Sequence, residues 1–424
     1  MTLTDALKSR ARELGFCAVG VTGADRFSEA EAAAAERTKE GLMDGLSWWS
    51  EARAHASADP CRATPDARSI IALAFPHPAS NSPSPRDSPS PTQVPDVPSP
   101  ACGGGPGPPA HASRGLVRSE RLRRSGGRDP RGRIAAYALG RDYHEVLLER
   151  MEPLLAMLRE QGHVAKTYVD HGWMLDRAAA ARAGLGWLGK NTNLLVPGVG
   201  SSALLAEIVT SAELERDQPL NKTCGGCDAC MRVCPTGALI EPGVLDNRRC
   251  ISFWTIEHRG VIPLDIRPLI GDWIFGCDLC QEICPINVSP RAAAPDTEAL
   301  MAFGPTIEAR PRLEELLALD DDSFRARFRN SAVWRTRRSG LLRNACIALG
   351  NVADRASVPA LARALEDQEP LVRGHAAWAL GRLGGAAART HLERALRREV
   401  DAWVRDECAL ALQECGPLVV PLAV

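Results

Sequence analysis

The chain has 424 residues, of which 45% are hydrophobic, and its formal net charge is −1. At roughly 150 residues per domain, this length predicts about three domains with substantial cores, and the near-neutral charge excludes a protein whose whole surface is basic. The sequence shows neither an apolar run of ~20 residues nor an N-terminal signal peptide, so we expect a cytoplasmic protein that does not span a membrane.

The N-terminal region is predicted to be a mixed α/β domain. Thr4 can cap a helix that ends at Gly15, and the apolar runs at 17–21 and 69–75 are typical of strands buried on both faces. Residues 78–130 are rich in Pro, Ser, Gly and Arg, and we expect a disordered insertion there, because such a segment buries too little apolar surface to fold. Two helices are predicted to follow, at 142–161 and 174–183, and two strands, at 165–169 and 203–209.

Eight of the fourteen cysteines lie between residues 224 and 284. Disulfides are rare in a reducing cytoplasm, so clustered cysteines there are typical of metal sites. The first run has the C-x2-C-x2-C-x3-C-P spacing of bacterial ferredoxins, and the second ends in C-x2-C-x3-C-P. In such runs, three thiolates bind one 4Fe–4S cluster and the fourth cysteine serves the neighbouring cluster.

This rule divides the eight cysteines into two complete ligand sets, with the isolated Cys250 supplying the missing ligand of the second. The sets are Cys224, Cys227, Cys230 and Cys284, and Cys277, Cys280, Cys250 and Cys234. Two alternatives stay open: structural zinc sites, which also use C-x2-C pairs, or clusters that only support the fold. Because two adjacent clusters form an electron path, we favour a ferredoxin-like domain that moves electrons.

The C-terminal part contains a sequence repeat. Similar segments begin at Arg343, Arg373 and Arg405, which are 30 and 32 residues apart. This period predicts a short stack of HEAT-type helical repeats, an architecture that usually presents a binding surface. The three expected domains are an α/β domain at 1–215, a ferredoxin-like domain at 216–295 and helical repeats at 296–424.

An electron-transfer domain within a longer chain needs an acceptor. No G-x-G-x-x-G follows a predicted strand and no C-x-x-C-H is present, so neither a Rossmann dinucleotide site nor an attached haem is supported. The D-x-H-x-x-G pattern that supplies a lower axial histidine in some corrinoid proteins is absent, and Asp142-Tyr143-His144 comes closest to it. Flavin, a corrinoid without that ligand, or a bound substrate remain as candidates.

Several stretches resemble one family, the epoxyqueuosine reductases, which are cobalamin-dependent iron–sulfur enzymes of tRNA modification. The matching stretches are both cysteine runs and residues 140–144, 168–170, 182–192 and 249–253. The resemblance covers nearly the whole chain except the insertion. It implies a corrinoid-binding α/β domain and reduction of epoxyqueuosine to queuosine at the wobble position of tRNA. It also implies electrons passing from an external donor through two clusters to cobalamin.

The resemblance assigns Asp170 as the general acid that protonates the leaving oxygen. A carboxyl with an ordinary pKa of about 3.9 must be desolvated for this role, and a helix cap near residue 173 is the alternative for Asp170. The chain departs from the family at His171 and Trp173, where smaller residues are usual, so the pocket shape stays open. Positions that resemble cobalamin contacts are Arg62, Ala135, Asp170, Arg177, Leu194, Leu205, Ser252 and Asp278. For the two arginines a surface ion pair is the alternative.

Residues 325–343 contain seven arginines and no acid, with Phe328 and Trp334 among them. Arginine binds phosphate bidentately and aromatic rings stack on splayed bases, so this run predicts a tRNA contact, with a solvated charged face as the alternative. The predicted tRNA-binding residues are Trp254, His258, Arg259, Arg335, Arg337, Arg338 and Arg343.

Two other functions fit parts of the sequence. A reductive dehalogenase combines a corrinoid with two clusters, but such enzymes are typically exported with a twin-arginine signal and lack HEAT repeats. An electron-transfer protein without catalysis of its own would bind no cobalamin. We expect a monomeric reductase that acts on tRNA carrying epoxyqueuosine.

Overall fold

The computed structural model describes residues 1–77, 130–288, 301–304 and 307–415. Apart from Pro130, the insertion predicted at 78–130 lies outside these residues. Within the described ranges, no helix has the length and apolar character needed to cross a membrane.

The secondary structure alternates short strands with helices before the cysteine region and is helical after it. The strands are β1 (Ala18–Gly23), β2 (Ser69–Pro76), β3 (Arg133–Ile134), β4 (Ala165–Tyr168), β5 (Trp187–Leu188), β6 (Leu194–Leu195), β7 (Ala203–Thr210), β8 (Leu239–Glu241), β9 (Val244–Leu245) and β10 (Trp273–Phe275). The helices up to the cysteine region are α1 (Leu3–Glu13), α2 (Ser28–Lys39), α3 (Glu51–Ser57), α4 (Pro60–Ala63), α5 (Tyr143–Glu160) and α6 (Asp176–Arg182). The later helices are α7 (Ala229–Val233), α8 (Arg267–Ile270), α9 (Leu279–Glu282), α10 (Pro285–Val288), α11 (Leu313–Leu317), α12 (Asp321–Phe328), α13 (Arg337–Val352), α14 (Val358–Ala364), α15 (Pro370–Leu383), α16 (Gly385–Arg398) and α17 (Ala402–Glu414).

A four-stranded antiparallel sheet with the order β1-β2-β7-β4 lies in the N-terminal region. Every residue of β2 is buried, which confirms that this apolar run lies in a sheet covered on both faces. Helices α1 and α5 pack on one face, and α6 packs on the other. The sheet therefore holds the end of β4 and the start of α6 on the same side of the molecule.

The first helix begins earlier than predicted. Thr2 caps it, because its side chain accepts a hydrogen bond from the Asp5 backbone N–H while the Asp5 carboxylate accepts one from the Thr2 N–H. Thr4 lies inside the helix, and its hydroxyl accepts from the backbone N–H of Glu215. Both threonines fit a cap by residue type, but only Thr2 has an acidic residue three positions later to complete a capping box.

The sequence repeat corresponds to helices that stack side by side. Its three segments lie in α13, α15 and α17, and α15 packs between the other two. The helices approach closely at Gly381, where an added Cβ would lie 2.8 Å from the Ala411 Cα. The small residues of the repeat are therefore what lets neighbouring helices approach.

The cysteine region and the repeats are joined by a set of buried polar residues that we call the clamp: Arg267, Arg343, Asn344 and Glu407. Arg343 is 1% exposed and donates to the backbone carbonyls of Trp254, His258 and Gly260. Arg267, also 1% exposed, forms two hydrogen bonds with Glu407, of 2.8 and 2.6 Å. The hydrophobic core is continuous across this joint, and the domain boundaries at 215 and 295 stay a prediction.

Candidate active site and cluster sites

The cysteines predicted to bind clusters gather in two neighbouring groups. Burial raises the pKa of the Cys230 thiol, and the nearby Cys224 and Cys284 raise it further. In the second group, burial is again the largest cause that raises the pKa of Cys280, followed by Cys250 and Cys234.

The remaining second-run cysteine belongs to the same group. Burial raises the pKa of Cys277 most, and Cys250 and Cys280 add to the rise. Cys280 also interacts with Cys230 of the first group, so the two sets are adjacent. Thiols brought this close suit a cationic iron cluster, because binding it relieves the repulsion between their thiolates.

The segment Asp170–Trp173, which we call the acid loop, follows β4. Asp170 is exposed and has a φ of 50°, in the left-handed region, and Gly172 has a φ of 92°. The hydroxyl of Tyr143 donates a hydrogen bond to Oδ2 of Asp170. The alternative in which Asp170 caps a helix is wrong: α6 begins at Asp176, with Leu175 at the cap position.

Tyr143 connects the acid loop to the C-terminal part of the chain. Arg335 Nη2 lies 2.9 Å from the Tyr143 hydroxyl, to which it donates, and 3.0 Å from Nδ1 of His144. Burial raises the pKa of Tyr143 most, and the charge of Asp170 raises it further, so the phenol stays protonated and donates. Arg335 thus orients the partner of Asp170, and its contact with tRNA stays a prediction.

The two residues that depart from the family hold the acid loop in place. The His171 ring lies 5.3 Å from the His144 ring, centre to centre. The guanidinium groups of Arg53 and Arg62 lie 5.1 and 5.5 Å from the centre of the Trp173 ring.

Arg62 also supports the acid loop, because its guanidinium contacts the Trp173 ring. Its contact with cobalamin stays a prediction. Arg53 also donates to the Gly172 carbonyl over 2.7 Å. The larger residues at 171 and 173 therefore reinforce the loop.

Behind the acid loop, the carboxyl groups of Asp176 and Glu207 face each other. Glu207 is 0% exposed and pairs with Tyr168 across β7 and β4. In the described ranges, both Glu207 oxygens, Asp176 Oδ1 and the Tyr168 hydroxyl are buried without a hydrogen-bond partner. Sequence reasoning missed this pair, although an acidic residue inside an apolar strand was a signal that could have found Glu207.

The other positions that resemble cobalamin contacts lie in two places. Near the cysteines, the Asp278 carboxylate accepts from the Ala136 N–H over 2.7 Å, next to Ala135. Ser252 lies two residues after Cys250; burial raises the pKa of the Cys250 thiol, and Ser252 acts in the opposite direction. Along α6, the residues concerned are Arg177, which donates to the Thr192 carbonyl over 2.8 Å, and Leu194 and Leu205, which pack under the helix.

Comparison with known proteins identifies the family. The chain is 32% identical over 403 residues to the epoxyqueuosine reductase of Bacillus subtilis (strain 168). This alignment covers 94% of this chain and 92% of that protein. The chain belongs to the epoxyqueuosine reductase family. It is also 40% identical over 253 residues to the Escherichia coli (strain K12) epoxyqueuosine reductase, covering 59% of this chain and 65% of that one.

Solved structures of epoxyqueuosine reductases have the same fold. A selenomethionine-labelled crystal structure matches with a TM-score of 0.81 and 31% identity, covering 97% of this chain and 99% of that one. A structure with an epoxyqueuosine-modified tRNA-Tyr stem loop matches with the same TM-score and identity, over 97% and 98% of the chains. A Bacillus subtilis structure whose catalytic aspartate loop is swung out of the active site matches at 0.79 and 30% identity, over 97% and 98%.

Family models match three parts of the chain. They describe the epoxyqueuosine reductase QueG, DUF1730, at residues 117–171, a 4Fe–4S double cluster binding domain at 223–287 and HEAT repeats at 338–413. The predictions of an oxidoreductase, of two 4Fe–4S clusters and of HEAT repeats are thus confirmed. Family membership favours catalysis over electron transfer alone.

Two of the residues predicted to bind tRNA in this epoxyqueuosine reductase family member are buried. Arg343 belongs to the clamp, where fixed carbonyls accept its hydrogen bonds, so its prediction as a phosphate contact is wrong. Trp254 is 8% exposed and its ring N–H donates to the Arg248 carbonyl over 2.9 Å, so it offers no open face for a base. Charge and aromaticity suggested these roles, whereas burial assigns both residues to packing.

The remaining predicted tRNA contacts differ in how accessible they are. Arg338 forms an ion pair with Asp367 and its side chain is 12% exposed. Arg337 is exposed and has a φ of 58°, an uncommon backbone conformation for a residue with a side chain. Arg259 and His258 hydrogen-bond to nearby carbonyls at the edge of the cysteine region. Arg337 therefore presents its charge to solvent more openly than Arg338.

Proposed function

We propose that this chain reduces epoxyqueuosine to queuosine in tRNA, with Asp170 as the acid that protonates the departing oxygen. The observation that carries the proposal is the exposed Asp170 carboxyl, oriented by Tyr143 at the end of β4 in an epoxyqueuosine reductase fold. Two relatives support it, since one was solved with an epoxyqueuosine-modified tRNA stem loop and another with its catalytic aspartate loop swung out of the active site. A monomeric state, a cytoplasmic location and an external electron donor stay predictions.

The residues around the acid loop fit a corrinoid. Cobalamin carries amide side chains around its ring, which donate and accept hydrogen bonds. In the described ranges, the Thr64 hydroxyl and the Trp187 ring N–H are buried without a hydrogen-bond partner, so an acceptor and a donor are available there. The residues proposed to hold cobalamin are Arg62, Ala135, Asp170, Arg177, Leu194, Leu205, Ser252 and Asp278.

When bound, cobalamin supplies a low-valent cobalt centre that delivers reducing equivalents to the substrate. The proposed cluster ligands are Cys224, Cys227, Cys230 and Cys284 for one cluster, and Cys277, Cys280, Cys250 and Cys234 for the other. Because the two sets are adjacent, and Asp278 and Ser252 lie next to members of the second, this set is the one that meets the proposed corrinoid site.

The chain's own residues control the proton that the reaction needs. Tyr143 occupies Oδ2 of Asp170, so the proton to be donated is carried on Oδ1. After the transfer, the Tyr143 hydroxyl and the Arg335 charge behind it stabilise the Asp170 carboxylate. Asp170 is exposed in the protein alone, so we propose that substrate and cofactor together exclude water and keep its carboxyl protonated.

The tRNA backbone is proposed to contact the exposed basic surface around Trp334. Arg327, Arg329 and Arg337 are exposed there, and Trp334 is 40% exposed with its other face stacked on Phe324 at 5.3 Å. Arg259 and His258 extend this surface towards the cysteine region. Guanidinium groups bind phosphate, so affinity for tRNA should fall steeply with salt, and an affinity independent of salt would contradict this surface.

The deciding experiment replaces Asp170 by Asn in the cluster-loaded enzyme with cobalamin. Asn tolerates the left-handed backbone of residue 170 as Asp does, so Asp170→Asn changes the chemistry and spares the loop. We expect queuosine formation to fall by about 100-fold or more, the usual contribution of a general acid, with iron content and tRNA affinity unchanged.

Asp66→Asn is the matched control. Asp66 is also exposed and has a φ of 63°, and it lies outside the acid loop, so its replacement should leave the rate unchanged. Full activity of Asp170→Asn would remove Asp170 from the acid role.

A further inference from the structure

Removing an epoxide oxygen as water consumes two protons and two electrons. Asp170, on the function proposed above, donates one proton and is then a carboxylate. A second proton must reach the same oxygen before water leaves. The structure contains a second acid store behind the acid loop, in the pair Asp176 and Glu207.

The geometry of this pair differs from that of a structural ion pair. Glu207 projects from the middle of the sheet, fully buried, towards the start of α6. Its carboxyl group meets the Asp176 carboxyl, and its oxygens accept from no donor in the described ranges. Two carboxyl groups can bind each other only when a proton lies between them. Asp176 as a whole residue is only half-buried, but its Oδ1 is shielded from solvent like both oxygens of Glu207.

The electrostatics agree with a shared proton. Burial raises the pKa of Glu207, and Asp176 and then Asp170 raise it further. Burial also raises the pKa of Asp176, with Asp170 as the next cause, while the hydrogen bond with Glu207 and then the charge of Arg177 lower it. The groups that face the pair are thus Asp170 and Tyr168 from the β4 side and Arg177 from α6. The apolar β2 contributes no titratable group.

We propose that Asp176 and Glu207 hold one proton between them and deliver it through Asp176 to Asp170 after the first protonation. In the first transfer, the O–H bond of Asp170 breaks and an O–H bond forms on the epoxide oxygen as one of its two C–O bonds opens. The pair's proton then restores Asp170, which gives it to the same oxygen, and the remaining C–O bond breaks as water leaves and the alkene forms. The two electrons come from the reductant of the proposed reaction, and the pair regains its proton between turnovers by way of Asp170, which is exposed to solvent.

Infrared difference spectroscopy tests the shared proton directly. The carbonyl stretch of a protonated carboxylic acid, recognised by its shift in D₂O, should be present near pH 7 in the wild-type protein. It should be lost in Glu207→Gln, because the amide then donates to an ionised Asp176. Asp170→Asn should retain the band while losing activity, so a failed acid role for Asp170 and a failed proton store are distinguishable. Absence of the band in the wild type would overturn the proposal.

Steady-state kinetics test whether the pair delivers its proton to Asp170. In Glu207→Gln, Asp170 must be recharged from solvent, so the steady-state rate should fall by about 10-fold or more and decline further as pH rises. Added imidazolium, a small diffusible acid, should restore the rate of this variant and leave the wild type unchanged. A wild-type rate and pH profile, or a loss that imidazolium does not reverse, would overturn the proposal. Asp176→Asn, at a half-buried position, should behave the same way and serves if Glu207→Gln does not fold.

Discussion

The clamp and the acid loop are both built from polar side chains, but they use them in opposite ways. In the clamp, Arg267 and Arg343 are 1% exposed and several fixed acceptors bind each guanidinium. In the acid loop, Asp170 is exposed, its backbone is left-handed, and a single Tyr143 hydroxyl orients it. Many shared, buried hydrogen bonds make a rigid joint, whereas the Asp170 carboxyl depends on one side-chain hydrogen bond at the surface and is less constrained.

The comparison predicts that breaking the clamp costs stability. Arg267→Met leaves the Glu407 carboxylate buried and unpaired, so we expect the free energy of unfolding to fall by about 3–5 kcal/mol. Chemical denaturation measures it. Arg159→Met, which removes an exposed ion pair with Glu152, should cost no more than about 1 kcal/mol. Adding Glu407→Leu to Arg267→Met should recover most of the loss; if it does not, the buried charge is not the cause.

Within the acid loop, the comparison predicts a loss of rate without a loss of stability. Tyr143→Phe removes the hydroxyl that donates to Asp170 and accepts from Arg335, and keeps the ring. We expect the rate of queuosine formation to fall by about 10-fold, the effect of about 1.4 kcal/mol in the barrier. The nearby Tyr137→Phe is the matched control. A large drop in melting temperature for Tyr143→Phe would show that this hydroxyl stabilises the fold, as the clamp does, and would contradict the prediction.

The smallest effect is expected on the exposed basic surface. Arg337→Gln should weaken tRNA binding severalfold and reduce the salt slope of the binding constant by about one, the signature of a lost phosphate contact. Arg397→Gln removes the same charge from an exposed position on α16 and should change neither quantity. An unchanged slope in Arg337→Gln would show that this surface is only solvated.

Local patterns in the sequence predicted much of this molecule. The cysteine spacing predicted two groups of cluster ligands, because the geometry of a cluster limits the number of residues between its thiolates. The repeat at Arg343 and Arg373 gave the helical stack, because each unit needs its neighbour to bury its apolar side. The buried strand β2 was recognisable from its continuous apolar run.

Contacts between distant segments were not predictable in the same way. Arg335 and Arg343 lie in one basic run, yet one orients the partner of Asp170 and the other is buried in the clamp. Arg335 precedes α13 and Arg343 lies inside it, so their directions depend on how this helix packs against the cysteine region. The Asp176–Glu207 pair was missed for the same reason, since the two residues come together only because α6 packs against β7.

The clamp has a further consequence for engineering. Asn344, in the first repeat helix, donates to the carbonyls of Thr255 and Ile274, and Asn351 donates to those of Arg267 and Gly271. A chimera that exchanged the helical stack for one from a distant relative would strip these carbonyls of their donors, and those of Thr255, Ile274 and Arg267 belong to buried residues. Such hybrids should fold only if the donors of the stack and the loops they serve are transplanted together.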